Sequence, residues 1–257
     1  MKVVILAGGR GTRISEESMV RPKPMVEIGG EPILWHIMKI YEHYGFNEFI
    51  VCAGYKQHMI KDYFYRYAMY HSDITFDFQS KESFRTSQNH AEPWKVTVVD
   101  TGYDTLTGKR IKMIESYIGK ERFMLTYGDG VADINIDKLL EFHIKHKKLC
   151  TLTATKPESR FGFLDLCGNE VKSFREKSQS DVGYINSGFM VMEPGVFDYL
   201  GDNVMLEAEP MVNLTKNGEV MAYRHEGFWQ CMDTLRDKIR LENLWNAGNP
   251  PWKVWGI

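Results

Sequence analysis

The chain has 257 residues, of which 43% are hydrophobic and 26% are charged, and its formal net charge is −2. This composition is globular and excludes a disordered, collagenous or coiled-coil chain. A chain of this length forms one or two domains and buries about 70–75% of its unfolded surface, so it needs no disulfide or metal to fold. The near-neutral charge argues against a nucleic-acid coat or a polybasic membrane anchor, although it leaves room for a local basic pocket.

The cysteines and the apolar runs predict the compartment. Cys52, Cys150, Cys167 and Cys231 are scattered and form no C-x-x-C pair, so we expect reduced, buried thiols. The apolar run at 3–7 is shorter than the ~7–15 residues of a secretory signal core, and no run reaches the ~18 residues of a membrane helix. We therefore expect a cytoplasmic protein with no membrane and no nucleic acid as partner.

Strands and helices are predicted to alternate in the first part of the chain. Buried apolar runs predict strands, and apolar residues at helical spacing predict helices. The predicted strands are 2–7, 48–53, 74–78, 96–100, 122–126 and 150–155, and the predicted helices are 33–44, 57–69, 108–117 and 136–146. Residues 80–95 are polar and predict a mobile loop. The β-α-β-α order implies a parallel sheet with right-handed crossovers.

The pattern changes after residue 155. Two short runs on either side of Gly168-Asn169 predict a hairpin. Further strands are predicted at 186–192 and 220–223, and helices at 205–216 and 234–245. We expect a single domain, 1–257, with a parallel half over roughly 1–155, a hairpin-rich half over roughly 156–257 and a cleft between them. Segments 8–13, 102–110 and 128–133 follow strands and should converge at the carboxyl edge of the sheet, where ligands of open α/β sheets bind.

A glycine-rich segment, Gly8-Gly9-Arg10-Gly11-Thr12-Arg13, directly follows the first predicted strand. Glycines let the backbone approach a ligand closely, and arginines suit phosphate oxygens. The segment matches neither a P-loop nor G-x-G-x-x-G, so phosphate binding is weighed against a plain tight turn. Nearby, two prolines hold Lys23 extended, which suits either a phosphate ligand or a solvated linker.

Two aspartates are candidates for a metal site. Glycines on both sides leave Asp129 open to a ligand, and carboxylate oxygens suit Mg²⁺, but an ordinary turn has the same pattern. Asp233 precedes a predicted helix, and its position alone favours an N-cap over a metal ligand. His143 and His146 are three residues apart on a predicted helix, but the surrounding lysines indicate a solvated face rather than a zinc site.

Together, Leu6-Ala7-Gly8-Gly9-x-Gly11-Thr12-Arg13 and Pro22-Lys23-Pro24-Met25 resemble the signature of the sugar-phosphate nucleotidylyltransferases. The likeness covers nearly the whole chain. It implies a Rossmann-like α/β fold, with a mixed, mostly parallel central sheet flanked by helices and a smaller hairpin-rich sugar-binding lobe. The runs at 15–17, 99–102, 107–110 and 228–234 resemble the branch that uses CTP and glucose 1-phosphate. The Pro-Leu-Thr run usual in other branches is absent after Arg13.

The resemblance also implies roles for individual residues. It implies catalytic roles for Arg13, Lys23 and Asp129, and Mg²⁺ binding by Asp129 and Asp233. The implied nucleotide-binding residues are Leu6, Ala7, Gly8, Gly9, Gly11, Thr12, Arg13, Lys23, Thr107, Arg110 and Gly128, with Thr107 and Arg110 expected on a loop. The implied sugar-phosphate-binding residues are Gly162, Glu176, Lys177, Asn186 and Gly188. Trp229 could stack on the sugar or pack in the core, with neither reading favoured.

The reaction implied is cytidylyl transfer from CTP to α-D-glucose 1-phosphate, which yields CDP-glucose and pyrophosphate for nucleotide-sugar and lipopolysaccharide biosynthesis. The family also implies a homo-oligomer, such as a hexamer. One alternative is the same chemistry with UTP, dTTP or another sugar 1-phosphate. A second alternative is a non-catalytic nucleotide-sugar-binding regulatory subunit, but such relatives usually lose the residues that Arg13, Asp129, Asp233 and Lys177 match.

Overall fold

The computed structural model describes residues 1–79, 84–157, 163–167, 170–175 and 183–256. The helices are α1 (Ser15–Ser18), α2 (Ile33–His43), α3 (Gln57–Tyr70), α4 (Thr107–Met113), α5 (Glu115–Ile118), α6 (Ile136–His146), α7 (Glu209–Lys216) and α8 (Leu235–Asn246). The strands are β1 (Lys2–Ala7), β2 (Glu27–Ile28), β3 (Glu31–Pro32), β4 (Glu48–Ala53), β5 (Ser72–Phe76), β6 (Phe84–Asn89), β7 (Lys95–Asp100), β8 (Phe123–Tyr127), β9 (Gly130–Ala132), β10 (Cys150–Thr155), β11 (Phe163–Cys167), β12 (Glu170–Arg175), β13 (Ile185–Met192), β14 (Val220–His225) and β15 (Trp229–Cys231).

Seven strands form the central sheet in the order β14-β10-β13-β8-β1-β4-β7. β1 runs parallel to β4 and β8, β4 runs parallel to β7, and β10 runs parallel to β14. β13 alone in this sheet is antiparallel to its neighbours, β10 and β8. The predicted α/β class with a mixed, mostly parallel sheet is therefore confirmed.

The core lies on both faces of this sheet, because successive side chains of a strand point to opposite faces. Val3 and Ile5 of β1 pack in one apolar cluster with α2, whereas Val4 and Leu6 pack in a second cluster with α4. Every one of these four side chains is at most 8% exposed. Burial on both faces explains why β1 reads as a continuous apolar run rather than an alternating one.

Several predicted elements differ from the structure. The helix predicted at 108–117 is two short helices, α4 and α5. Part of the predicted loop at 80–95 is strand β6, which pairs antiparallel with β5. The sequence of β6 has no apolar alternation from which a strand could be predicted. β5 begins at Ser72 and ends at Phe76 rather than covering 74–78, and α7 begins at Glu209 rather than at residue 205. Pro210 lies in the first turn of α7, where its missing N–H removes no helical hydrogen bond.

The hairpin predicted after residue 155 is confirmed, since Phe163 of β11 pairs with Arg175 of β12. Gly168 and Asn169, which were expected between the two strands, lie outside the described residues. Among the residues that the structure describes, no helix combines the length and the apolar character needed to cross a bilayer.

The C-terminal segment is anchored by Trp252, which is fully buried and stacks on Phe228 with ring centroids 5.7 Å apart. Its indole Nε1 donates to His36 Nδ1 at 3.4 Å, which joins the end of the chain to helix α2. The tail therefore belongs to the core rather than trailing from it.

Replacing this indole tests that reading. Trp252→Ala should lower the free energy of unfolding by about 3–5 kcal/mol, because it leaves a large cavity. Tyr65→Ala is the matched control, because Tyr65 is 88% exposed and its loss should change stability by no more than about 0.5 kcal/mol. Urea unfolding of both variants measures the difference. Equal stability of the two would contradict an anchored tail.

Candidate active site

A cleft of about 380 Å³ opens at the carboxyl ends of β1 and β8. It is lined by Leu6, Ala7, Gly8, Gly9, Gly11, Thr12, Arg13, Lys23, Pro24, Thr105, Leu106, Thr107, Arg110, Tyr127, Gly128, Asp129 and Met205. Each residue that the resemblance assigns to nucleotide binding is in this lining. The three segments expected to converge at this edge of the sheet do so, because they follow β1, β7 and β8.

The buried side chain of Arg110 hydrogen-bonds to the backbone of the glycine-rich segment. It lies in helix α4 and is only 4% exposed, so the expectation that it belongs to a loop is wrong. Its guanidinium donates to the carbonyl oxygens of Gly8 at 3.1 Å and Gly102 at 2.8 Å, and to Thr101 Oγ1 at 2.6 Å. Burial lowers the pKa of this guanidinium. Arg110 thus holds the backbone of the cleft in place with most of its donors already used.

Lys23 begins a short 3₁₀ turn, Lys23–Met25, in which Pro24 is also buried. Pro22 precedes the turn in extended conformation with φ −68° and ψ 148°, as expected for a residue whose φ is fixed by its ring. Lys23 itself lies inside this turn, so the prediction that the two prolines hold it extended is wrong. Its side chain, 10% exposed, is directed into the cleft rather than into solvent, which removes the linker alternative.

The two candidate aspartates meet because β9 and β15 pair antiparallel. In this ladder Gly130 lies opposite Cys231, so Asp129, just before Gly130, lies beside the residues that follow Cys231. The backbone N–H of Met232 also donates to the carbonyl oxygen of Asp129 at 2.8 Å. Asp129 and Asp233 are thereby brought together although about a hundred residues separate them in the sequence.

Four charged side chains form what we call the carboxylate–cation cluster: Arg13, Lys23, Asp129 and Asp233. Lys23 Nζ donates to Asp129 Oδ2 and to Asp233 Oδ1, each at 2.6 Å. Arg13 Nη1 donates to the second oxygen, Asp233 Oδ2, also at 2.6 Å. Two acids and two bases make the cluster formally neutral.

Partial burial makes the charges of this cluster interdependent. Burial alone would lower the pKa of Lys23, but the two carboxylates outweigh it and raise that pKa above its usual value. Burial would likewise raise the pKa of Asp233, but Lys23 and Arg13 lower it. Lys23 is therefore a cation and Asp233 an anion near neutral pH, so the lysine keeps its positive charge in the cleft.

Asp233 is not the N-cap of helix α8. The cap is Thr234, whose side chain accepts from the backbone N–H of Asp237, while the Asp237 carboxylate accepts from the N–H of Thr234. This capping box satisfies the start of the helix without Asp233. The carboxylate of Asp233 is consequently available to the cations.

The sugar-side predictions fall partly outside the described residues, which is the case for Gly162, Glu176 and Lys177. Asn186 and Gly188 lie on β13, and the Asn186 side-chain oxygen accepts from the Gly188 N–H at 3.0 Å. Gly188 has φ +92°, and a Cβ there would lie 2.6 Å from the Tyr127 ring. Only glycine fits at this position, where β13 passes the wall of the cleft.

Sequence reasoning missed the residues that complete the wall of the cleft. Tyr127 directly precedes Gly128 at the end of β8, a position that the motif could have indicated. Its hydroxyl donates to Glu207, which also accepts from Thr107 Oγ1 at 2.7 Å. The pKa of Tyr127 is raised by burial and by Glu207. Glu207 and the lining residue Met205 come from a segment with no motif, so the sequence carries no signal for them.

Other polar groups singled out in the sequence have partners elsewhere. Arg10 is exposed and pairs with Asp104, with its guanidinium 4.6 Å from the centre of the Tyr103 ring. Trp229 packs against the core and donates to the backbone oxygen of Ser187 at 2.8 Å.

The two histidines of α6 lie away from the cleft. His143 is 1% exposed, so the expected solvated face is wrong there, and its Nδ1 lies 2.7 Å from Thr151 Oγ1. His146 Nε2 lies 2.7 Å from the same hydroxyl oxygen. Within the described parts of the chain, no three His, Cys, Asp or Glu side chains are grouped so that they could hold a metal.

Comparisons with known proteins place the chain in a family. Residues 2–234 match the family described as "Nucleotidyl transferase", and the chain belongs to that family. It is 52% identical to a glucose-1-phosphate cytidylyltransferase of Salmonella typhimurium, over 99% of this chain and 100% of that protein. It is 48% identical, with the same coverage, to a probable glucose-1-phosphate cytidylyltransferase of Bacillus subtilis.

A solved structure supports the fold independently. HddC from Yersinia pseudotuberculosis superposes with a TM-score of 0.70 at 23% identity, covering 95% of this chain and 99% of that one. The Rossmann-like fold expected from the resemblance is therefore confirmed.

The close packing behind the glycine-rich segment generates a prediction. A Cβ at Gly54 would lie 2.5 Å from the carbonyl oxygen of Gly102 and 2.8 Å from that of Gly8, whereas a Cβ at Gly9 would meet open space. Gly54→Ala should lower the free energy of unfolding by about 1–3 kcal/mol, because backbone must move. Gly9→Ala is the matched control, because a Cβ there meets no atom, and it should be close to wild type. Urea unfolding that ranks Gly9→Ala as the less stable variant would refute the packing argument.

Proposed function

We propose that this chain transfers a cytidylyl group from CTP to α-D-glucose 1-phosphate, giving CDP-glucose and pyrophosphate. Its full-length likeness to two glucose-1-phosphate cytidylyltransferases carries the proposal. The cleft supports it physically, because a glycine-rich backbone and two cations are what a nucleoside triphosphate needs. The retained carboxylate–cation cluster favours a catalytic chain over a non-catalytic regulatory subunit.

The reaction forms a bond from a sugar-phosphate oxygen to the α-phosphorus of CTP and breaks the bond from that phosphorus to the leaving pyrophosphate. The attacking oxygen is already ionised, so no Ser, Cys or His nucleophile is needed. Catalysis then depends on bringing two anions together in line and on neutralising their charge.

Arg13 and Lys23 supply this positive charge on the nucleotide side. Arg13 is 73% exposed at the mouth of the cleft, where its planar guanidinium can hold the pyrophosphate and stabilise the charge that builds up on it. Lys23 lies deeper and contacts the nucleotide phosphates. On the sugar side, the family motif assigns the sugar phosphate to Lys177 and a sugar hydroxyl to Glu176, together with contacts from Gly162, Asn186 and Gly188.

Asp129 and Asp233 fit a divalent cation, because both carboxylates already converge on one positive charge, the Lys23 ammonium, at 2.6 Å. Carboxylate oxygens are the ligands that Mg²⁺ prefers. When bound, Mg²⁺ would neutralise phosphate charge beyond what Arg13 and Lys23 supply.

The proposal also covers the oligomeric state and the domain organisation of the chain. We infer a homo-oligomer, whose size a solution mass would give, and a single domain whose halves divide near residue 155. With that division, Met205 of the second half lines the nucleotide cleft, and Asp233 of the second half contacts Lys23 of the first.

Nucleotide choice tests the proposal directly. Pyrophosphate release from glucose 1-phosphate should be fastest with CTP, because cytosine carries an amino donor where uracil carries a carbonyl acceptor and a matched site rejects the wrong pattern. Each of the four ribonucleoside triphosphates and dTTP is assayed at equal concentration. Turnover with UTP or dTTP but not with CTP would overturn the cytidylyl assignment and leave the reaction class standing.

The role of Arg13 has its own test. Arg13→Ala should lower kcat/KM about 100–1000-fold, as removal of one charge-stabilising donor does. Because the side chain is largely exposed, the urea midpoint should stay close to wild type. Lys95→Met, which removes an exposed cation at the opposite edge of the sheet, is the control and should keep full activity. A near-normal rate for Arg13→Ala would refute its role.

A further inference from the structure

Both carboxylates proposed to bind the metal already hold cations that belong to the chain. Asp233 has one oxygen on Lys23 and the other on Arg13, and Asp129 has an oxygen on Lys23, all at 2.6 Å. The point within 2.6 Å of both carboxylates is occupied by Lys23 Nζ. A divalent ion bound by the same two oxygens would therefore compete with Lys23 for them.

We infer that Lys23 is a built-in stand-in for the metal, which the incoming ion displaces and thereby releases toward the nucleotide phosphates. The inference deepens the proposed function and rests on it. In the free protein the lysine lies between two carboxylates that would otherwise repel each other, and together with Arg13 it balances their charge. In the loaded protein the same ammonium would turn to the phosphates, so a single residue serves two anions in succession.

The geometry of the cluster allows this exchange with only a small movement of the protein. Backbone hydrogen bonds close the 3₁₀ turn around Lys23, from the Met25 N–H to the Pro22 oxygen at 2.8 Å and from the Val26 N–H to the Lys23 oxygen at 3.1 Å, so the four-carbon side chain can move while the backbone stays. Its position beside Asp129 in the lining of one cleft keeps that movement within the cleft. Arg13 contacts the other oxygen of Asp233, Oδ2, and can be released when the metal binds that carboxylate.

The exchange also couples the binding of metal to the binding of nucleotide. Mg²⁺ takes six oxygen ligands and loses its water reluctantly, and this cluster offers it two carboxylates that are already neutralised. Metal alone should therefore bind weakly. Nucleotide phosphates supply both the missing oxygen ligands and a new partner for Lys23, so metal and nucleotide should strengthen each other's binding.

Mn²⁺ serves as the probe, because it prefers the same oxygen ligands as Mg²⁺ and its free form gives an electron paramagnetic resonance signal. Titrations are made without nucleotide, so the outcome is independent of whether CTP is the substrate. Lys23→Met should bind Mn²⁺ at least about tenfold more tightly than wild type, because a positive charge has been removed from the site. Lys95→Met loses the same charge elsewhere and should match wild type.

Two further measurements make the test decisive. Lys23→Met/Asp233→Asn should lose the added affinity, which assigns the ion to this cluster. In wild-type protein, reductive methylation followed by peptide mass spectrometry should show that saturating Mn²⁺ increases the labelling of Lys23 and leaves that of Lys95 unchanged. The labelling needs no variant, so it decides the question even if Lys23→Met fails to fold. Equal or weaker Mn²⁺ binding by folded Lys23→Met, or unchanged or reduced labelling of Lys23, would overturn the inference.

Discussion

The contact of the Lys23 ammonium with the carboxylates of Asp129 and Asp233 is the interaction on which the rest of the site depends. Three separate parts of the chain must be in place for it: the proline-flanked turn, the end of β8 and the β15 segment. Without the lysine, two carboxylates would face each other in a partly buried cleft. The same contact therefore holds three segments of the cleft together and offsets the negative charge of the two carboxylates.

The main sheet could be predicted from sequence because its strands are buried on both faces and consist of apolar, β-branched runs, as β1 and β4 show. β6 could not, since a polar strand of a two-stranded ribbon has no apolar face to mark it. The boundary of α7 was missed for a local reason. Apolar residues before Glu209 continue the helical spacing, although the helix begins only there.

The residues of the candidate site also differ in how well the sequence predicts them. Arg13, Lys23 and Asp129 were found because glycines and prolines mark them locally, whereas Glu207 reaches Thr107 and Tyr127 from a segment without any motif. Asp233 was ambiguous in the sequence because an aspartate before a helix suits an N-cap, and only the Thr234–Asp237 capping box removes that reading. Site residues with a local motif could therefore be predicted from the sequence. The long-range contacts that complete the cleft could not.

The central claim is that the carboxylate–cation cluster is where metal and phosphates meet. A crystal structure of the protein with CTP and Mg²⁺ tests it most directly. The account predicts a metal ion bound by Asp129 and Asp233, with Lys23 Nζ moved to a phosphate oxygen. A nucleotide and metal bound in the cleft while Lys23 stays between the two carboxylates would contradict it.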